Sequence, residues 1–299
     1  MKDTMAKIIL TGQNIDIYDG DCLDLYARTG ATSLEMLSHA GAEGVIFGHS
    51  EVGDSAEVTR KKFQTLLNRR QTFGANFLPK STILVGETWA DFESLVKDRI
   101  AKVQETQHAE IDKEKWEGIE DEVKEQIAEV VSKQLHLILE GTPEDVMQEV
   151  VVGYEPKWGS RGGGHDDVPP VAPEIISVCA GAMKEELINL FGKDLGNKIP
   201  IIYGGRSTPE RTEKIVADEN IAGLILGSAC NTVQKTLNIA HAMITPMGQK
   251  TKILHANFKA YNLPDSYEQY VTELKKLDDT FIVYLSPNHT DIRAVKEVL

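Results

Sequence analysis

The feature that most constrains this chain is a repeated pair of segments. Short runs rich in Ile, Val and Leu end in glycine or polar residues, and longer segments with helical spacing follow them. Near-continuous apolar strands that alternate with helices are typical of a parallel sheet covered by helices. Eight such units predict closure into a single α/β domain, a (β/α)8 barrel, with an open doubly wound sheet as the alternative. The runs span residues 7–14, 44–51, 81–88, 149–156, 198–205, 221–228, 252–259 and 279–287.

The length of 299 residues fits two average domains or one such barrel, and we expect one barrel domain over 1–299. The connection over 89–148 is longer than a barrel unit requires, and it holds a charged stretch. We interpret about 105–140 as a helical insertion between the strands at 81–88 and 149–156. Apolar residues at helical spacing, Val123 and Ile127 among them, predict that it packs on the barrel or on a partner subunit.

Composition excludes several classes of function. The chain has 32 Lys and Arg against 46 Asp and Glu, a net charge of −14, so we expect no general affinity for nucleic acid or anionic membranes. Its three cysteines, Cys22, Cys179 and Cys230, are far apart and lack zinc-ligand spacing. No run reaches about 18 apolar residues, the length of a membrane span. We therefore expect a cytoplasmic protein without a metal site.

In a barrel the carboxyl ends of all strands open onto one face, so the polar residues that close the strands should meet. They include a carboxylate, an imidazole, a lysine and glycine turns. A carboxylate can abstract a proton next to a carbonyl group, an imidazole can polarise that carbonyl, and a lysine can offset the charge of an enolate. Glycine turns that enter helices suit phosphate. This set indicates proton transfer on a phosphorylated carbonyl compound without a cofactor. The residues are Gln13, Asn14, His49, Ser50, Glu51, Glu87, Glu155, Tyr203, Gly204, Gly205, Gly227, Ser228, Asn257 and Lys259.

Four ordered motifs at strand ends resemble those of the triosephosphate isomerase family. They are FGHSE (47–51), GYEPKWG (153–159), YGG (203–205) and LILGSA (224–229). The resemblance implies a cofactor-independent aldose–ketose isomerase that interconverts glyceraldehyde 3-phosphate and dihydroxyacetone phosphate through an enediolate. It also implies a place in glycolysis and gluconeogenesis, a small phosphorylated sugar as partner, and a homodimer or other homo-oligomer.

The resemblance also implies residue roles. Glu155 corresponds to the base and His49 to the neutral electrophile, a pairing taken over from the family. Lys259 corresponds to the residue that stabilises negative charge, and Asn257 to the one that orients substrate. Glu51 is expected to hold the Lys259 side of the site by a charge-assisted bond.

Phosphate binding and a closing lid are implied in the same way. The expected phosphate ligands are Arg161, Gly162, Gly205, Arg206, Gly227 and Ser228. The glycine-rich loop over 159–164 resembles a lid that expels water. Pro156, Lys157 and Trp158 resemble its hinge. Arg206 departs from the family pattern, because it stands where a small hydroxyl residue is usual.

The order of the motifs predicts a circular permutation. The chain begins with a strand that resembles the third strand of the family. The family's first two strands and helices resemble the segments 255–277 and 280–299, so the strand order would be 3 to 8 followed by 1 and 2. A linker over about 244–250 would join the former ends. Permutation is feasible because the new termini would lie away from the catalytic face.

Alternatives remain open at the level of sequence. The substrate could be another short phosphosugar, such as a tetrulose phosphate, because Arg206 changes the phosphate loop. The chain could also be a non-catalytic phosphosugar-binding barrel, or its insertion could bind another protein. For Gln13, Asn14 and Glu87 we expect only hydrogen bonding at the barrel mouth.

Overall fold

Eight parallel strands form a closed barrel in chain order in the computed structural model, which describes residues 5–16, 30–97, 113–159, 169–261 and 263–299, with the backbone alone for 113–122. The predicted fold class is therefore confirmed. Each strand is shorter than its predicted run, because the runs continue into the loops that carry polar residues. The strands are β1 (Lys7–Gly12), β2 (Gly44–Phe47), β3 (Lys80–Val85), β4 (Val150–Tyr154), β5 (Ile201–Gly204), β6 (Ile221–Leu226), β7 (Lys252–Asn257) and β8 (Phe281–Ser286).

Pairing of the last strand with the first closes the barrel. The β8–β1 register runs from Lys7 opposite Ile282 to Leu10 opposite Leu285. Closure leaves no strand edge unpaired, which removes the exposed hydrogen-bonding groups that promote aggregation. It also places β8 beside β1, although more than 200 residues separate them in sequence.

Helices surround the barrel, and several of them begin with a side-chain cap. The Thr208 hydroxyl accepts from the Arg211 N–H at the start of α6, with Pro209 in the first turn. Ser266 and Gln269 form a capping box at the start of α8. The helices are α1 (Leu34–Ala40), α2 (Ala56–Phe73), α3 (Lys113–Leu139), α4 (Glu144–Met147), α5 (Pro173–Gly196), α6 (Pro209–Ile215), α7 (Val233–Met247), α8 (Tyr267–Leu274) and α9 (Ile292–Val298). Residues 89–97 are also helical.

The core has two parts. A larger cluster fills the space between the strands and the helices. A smaller layer fills the barrel interior with branched side chains, as is usual for this architecture. Its buried members are Ile9, Ile46, Leu84, Val151, Ile202, Ile225, Ile253 and Tyr284.

The long connection between β3 and β4 contains α3, as the helical spacing predicts. Val123, Ile127, Val131 and Leu135 are each fully buried, and α3 packs against α5 and α2. Of the two packing partners considered from sequence, the structure therefore shows the barrel's own helices. The part of the expected insertion over 105–112 lies outside the described residues.

The expected permutation linker is largely helical. Helix α7 continues through Ile244 to Met247, so the connection to β7 consists of residues 248–251. The buried Lys252 side chain ties this connection to the barrel floor, where its ammonium group donates to the carbonyl oxygens of Gly248 at 2.6 Å and Lys250 at 3.0 Å.

Within the described ranges, no helix combines the length and apolar character that a membrane crossing requires. Cys179 and Cys230 are buried free thiols, and Cys22 lies outside the described residues.

The packing of α3 is tested by truncating its buried face. We expect Ile127→Ala to lower the free energy of unfolding by about 2–5 kcal/mol, because the substitution opens a cavity between α3 and its neighbours. Lys133→Ala, on the exposed face of the same helix, should change it by less than about 0.5 kcal/mol. Urea denaturation measures both. Equal values for the two variants would mean that α3 does not belong to the core.

Candidate active site

One cavity at the carboxyl ends of the strands collects most of the predicted site. Eight predicted site residues line it, contributed by the ends of five strands and the loops that follow them. No two of these strand ends are contiguous in sequence, so only barrel closure brings them together. The eight are His49, Glu155, Gly205, Arg206, Gly227, Ser228, Asn257 and Lys259.

Glu155 follows β4 and is 7% exposed. Its Oε2 atom accepts the Ser50 N–H at 2.8 Å, and its Oε1 atom lies 3.6 Å from His49 Nε2. A Cβ at position 204 would lie 3.0 Å from Glu155 Cγ, so Gly204 gives the carboxylate its space. The carboxylate is thus held by one charge-assisted bond and faces the imidazole.

His49 follows β2 and is 6% exposed. Its Nδ1 atom accepts the Glu51 N–H at 3.1 Å, so this nitrogen carries no proton. The ring is therefore neutral in this arrangement, and its proton is on Nε2, the nitrogen that faces Glu155. A neutral imidazole with Nε2–H directed into the cavity can donate to a carbonyl oxygen.

Lys259 has a left-handed backbone, with φ of 49°, which is uncommon for a residue with a side chain. Such a conformation costs on the order of 1–3 kcal/mol and persists only where the surroundings hold it. Here the Lys259 N–H donates to Asn257 Oδ1 at 3.1 Å, and Gln13 Nε2 donates to the Lys259 carbonyl at 2.9 Å. The Lys259 ammonium group pairs with Glu51, as predicted.

The turn after β6 is suited to an anion. Residues Ser228–Cys230 form a short helical turn with Gly227 before it, and the first N–H groups of a helical turn have no acceptor within that turn. A Cβ at position 227 would lie 3.0 Å from Lys259 Nζ. Gly227 therefore allows the ammonium group to lie directly against this turn.

The predicted hinge of the lid is anchored by a buried carboxylate. Residues Lys157–Gly159 form a helical turn after Pro156, and the Trp158 ring is fully buried. Trp158 Nε1–H donates to Glu87 Oε1 at 2.8 Å. The Tyr154 hydroxyl donates to the same oxygen at 3.0 Å. The expected lid residues Arg161 and Gly162 lie outside the described residues.

Glu87 is fully buried, and this burial raises the pKa of its carboxyl group to about 7. The hydrogen bonds from Trp158 and Tyr154 favour the ionised form and oppose the effect of burial only in part. Within the described part of the chain, the second carboxyl oxygen has no partner. Glu87 thus holds Trp158 of the predicted hinge and changes charge near neutral pH.

Arg206 lines the cavity, and it also contacts the backbone on both sides of residues 160–168. Its backbone N–H donates to the Gly159 carbonyl at 3.1 Å, and its Nη2 atom donates to the Pro169 carbonyl at 2.8 Å. The sequence-based expectation of a phosphate ligand did not include these contacts. They hold the loop after β5 against the two sides of 160–168.

A polar group below the site was missed by sequence reasoning. His255, two residues before Asn257 on β7, is fully buried inside the barrel, and its Nε2 atom lies 2.7 Å from Ser286 Oγ. Burial lowers the pKa of His255 to about 3, and the nearby His49 contributes to this shift. The alternation of side chains along a strand places residues 253, 255 and 257 on one face and is the signal that identifies His255 as interior.

Gln13 and Glu87 were assigned only general hydrogen bonding from sequence. The structure shows a specific hydrogen bond for each. Gln13 Nε2 donates to the Lys259 carbonyl, and Glu87 accepts from the Trp158 Nε1–H. A buried tryptophan requires an acceptor for its N–H, so Trp158 was the available signal for Glu87. Among the described residues, no cluster of three or more His, Cys, Asp or Glu side chains could hold a metal ion.

Comparison with known proteins gives a consistent result. The family model for triosephosphate isomerase matches residues 2–74 and 115–243. A triosephosphate isomerase of Granulibacter bethesdensis is 30% identical over 244 residues, covering 79% of this chain and 80% of the relative. Those of Mycoplasmoides gallisepticum and Protochlamydia amoebophila are 26% and 24% identical, covering 72% and 83% of this chain and 70% and 78% of the relatives. The family match ends before β7, the strand that carries Asn257.

The shifted pKa of Glu87 predicts a pH-dependent stability. Because its pKa is about 7 in the folded protein and 4.5 for an ordinary glutamate, the folded state binds the proton more tightly. The stabilisation is complete below pH 4.5 and is lost as the pH rises through about 7. Relative to Glu87→Gln, the unfolding free energy of the wild type should fall by about 3 kcal/mol across this range.

Urea denaturation at a series of pH values measures this difference. Glu93→Gln, which alters an exposed carboxylate on the helical segment over 89–97, is the matched control and should give a flat difference. A flat difference for Glu87→Gln as well would contradict the assigned burial of the charge.

Proposed function

The chain belongs to the triosephosphate isomerase family, and we propose that it interconverts glyceraldehyde 3-phosphate and dihydroxyacetone phosphate with Glu155 as the base. One observation carries the proposal. The Glu155 carboxylate, the neutral His49 imidazole and the Lys259 ammonium group line a single cavity beside a glycine turn suited to phosphate. This is the set of groups that proton transfer next to a carbonyl requires.

The reaction begins with proton abstraction. The Glu155 carboxylate removes a proton from the carbon next to the carbonyl, and the released electron pair forms the carbon–carbon double bond of an enediolate. Meanwhile His49 Nε2–H donates to the carbonyl oxygen, where negative charge develops. Protonated Glu155 then returns the proton to the neighbouring carbon, and proton exchange between the two oxygens through His49 completes the isomerisation. No electrons leave the substrate.

Lys259 supplies positive charge in a protein that carries an excess of acidic residues. Its ammonium group lies beside Gly227 and lines the same cavity as Glu155 and His49. The net charge of −14 makes such a local cation necessary for an anionic substrate. The supported left-handed backbone of Lys259 fixes its direction, so its positive charge is already positioned when the enediolate forms.

The glycine-rich loop over 159–164 is assigned the role of a lid. The buried Trp158 gives it one firm end, and Arg206 contacts the carbonyl groups on both of its sides. Exclusion of water would strengthen the bonds from His49 and Lys259 to the developing charge.

The circular permutation is part of the proposal. The family match stops at residue 243, and the groups that correspond to the family's first strand, Asn257 and Lys259, lie after it on β7 and the loop that follows. Because β7 and β8 complete the barrel next to β1, their position at the end of the chain is compatible with the same three-dimensional site.

We also propose a cytoplasmic homo-oligomer. The large apolar side chains Met36 and Val52 are 57% and 41% exposed, and they belong to the segments that follow β1 and β2. Buried free thiols at Cys179 and Cys230 suit a reducing compartment. Sedimentation equilibrium tests the oligomeric state, and a monomer at micromolar concentration would exclude it.

The base is tested by removing its charge. We expect Glu155→Gln to lower kcat for triose phosphate isomerisation by about 10²–10⁴-fold, since an amide cannot accept the proton. Glu149→Gln, next to the opposite end of the same strand, is the matched control and should stay within about twofold, as remote surface changes do. A coupled assay in both directions measures turnover. Folded wild-type protein that binds phosphosugars without turnover would instead indicate a binding barrel.

The permutation is tested by restoring the family order. A gene in which residues 251–299 precede residues 5–250 through a flexible linker should yield a folded, active barrel. The reason is that the β8–β1 and β7–β8 pairs form regardless of which strand comes first. Circular dichroism and the coupled assay are the measurements. A rearranged chain that fails to fold would show that the present order is essential.

A further inference from the structure

A second concave site adjoins the catalytic cavity. It is a groove of about 380 Å³ between the loop after β5, the start of α6 and one face of α7. Arg206, Ser207, Ser228 and Ala229 line both the groove and the catalytic cavity. The turn that is expected to hold the substrate phosphate therefore has this groove on its outer side.

The groove is basic in an acidic protein. Three cations, Arg206, Arg211 and Lys235, line it, and its described lining includes no carboxylate. Lys235 Nζ donates to Asn231 Oδ1 at 3.0 Å, an acceptor without net charge. Within the described ranges, neither Arg211 nor Lys235 takes part in an ion pair. Their positive charge is therefore available to an anion, in a chain of net charge −14.

The same arginines contact the ends of the lid. Arg211 Nε donates to the Arg206 carbonyl at 3.2 Å, and Arg211 Nη2 donates to the Val171 carbonyl at 2.6 Å. Arg206 in turn contacts the Gly159 and Pro169 carbonyls. An anion in the groove would compete with these neutral carbonyl acceptors for the guanidinium groups, because charged acceptors form the stronger bonds. An anion in the groove would therefore change the contacts of the two arginines with the backbone at residues 159, 169 and 171.

We propose that this groove binds a second anionic group, a phosphate or carboxylate, beside the catalytic cavity. The anion has two conceivable sources with the same chemistry. It is either a separate small anion or the far end of a phosphosugar with a second negative charge. Anion binding in the groove does not require turnover. Only the second source, the far end of a phosphosugar, rests on the proposed function.

The experiment measures phosphate binding with the catalytic cavity filled. Glycerol 3-phosphate has no carbonyl group and cannot isomerise, so it can saturate the cavity. Isothermal titration with inorganic phosphate at constant ionic strength should then still detect binding to the wild type. Lys235→Gln and Arg211→Gln should each raise the Kd of this phosphate about tenfold, the loss expected for one charge-assisted bond.

Lys214→Gln is the matched control, since Lys214 lies on α6 outside the groove lining. Phosphate that binds alongside glycerol 3-phosphate identifies a separate anion. The alternative result is that a sugar bisphosphate displaces both glycerol 3-phosphate and inorganic phosphate, and does so less well in Lys235→Gln. That result would mean that the groove holds the far end of a substrate.

Equal binding of phosphate and of the bisphosphate by Lys235→Gln and Lys214→Gln would overturn the proposal. Failure of glycerol 3-phosphate to bind at all would count against the proposed isomerase site instead, so the two failures are distinguishable.

Discussion

Hydrogen bonding between β8 and β1 is the interaction on which the remaining architecture depends. It converts eight parallel strands into a closed barrel and brings the ends of β2, β4 and β7 to one mouth. Without it, the lysine that follows β7 would lie far from the histidine and the glutamate that follow β2 and β4. Because closure depends on neighbouring strands and not on which strand begins the chain, a permuted order can support the same site.

At the mouth of the barrel, backbone N–H groups and amide side chains hold the charged residues of the site in place. Backbone N–H groups hold the Glu155 carboxylate and select the tautomer of His49. Asn257 on β7 and Gln13 in the loop after β1 hold the left-handed backbone of Lys259. Backbone amides and hydrogen-bonded amide side chains reorganise little during a reaction, and preorganisation of this kind is how an enzyme stabilises developing charge.

Around the catalytic cavity, a small number of buried polar contacts join the site to the lid. Glu87 anchors the hinge through Trp158 on one side, and Arg206 with Arg211 contacts the backbone on the other. The Glu87 carboxyl group changes charge near neutral pH, and Arg206 and Arg211 line a basic groove. Protonation of Glu87 and anion binding in the proposed groove would therefore act on the backbone on either side of residues 160–168.

Local pattern and short spacing are enough to predict the eight strands and the motif residues His49 and Glu155. Local pattern does not predict that Gln13 supports Lys259, that Glu87 anchors Trp158, or that Arg206 contacts the backbone on both sides of residues 160–168. The tertiary structure also decided that α3 packs on the barrel's own helices. Each of these facts is a contact between residues distant in the chain, which local pattern does not encode and which only barrel closure and packing bring about.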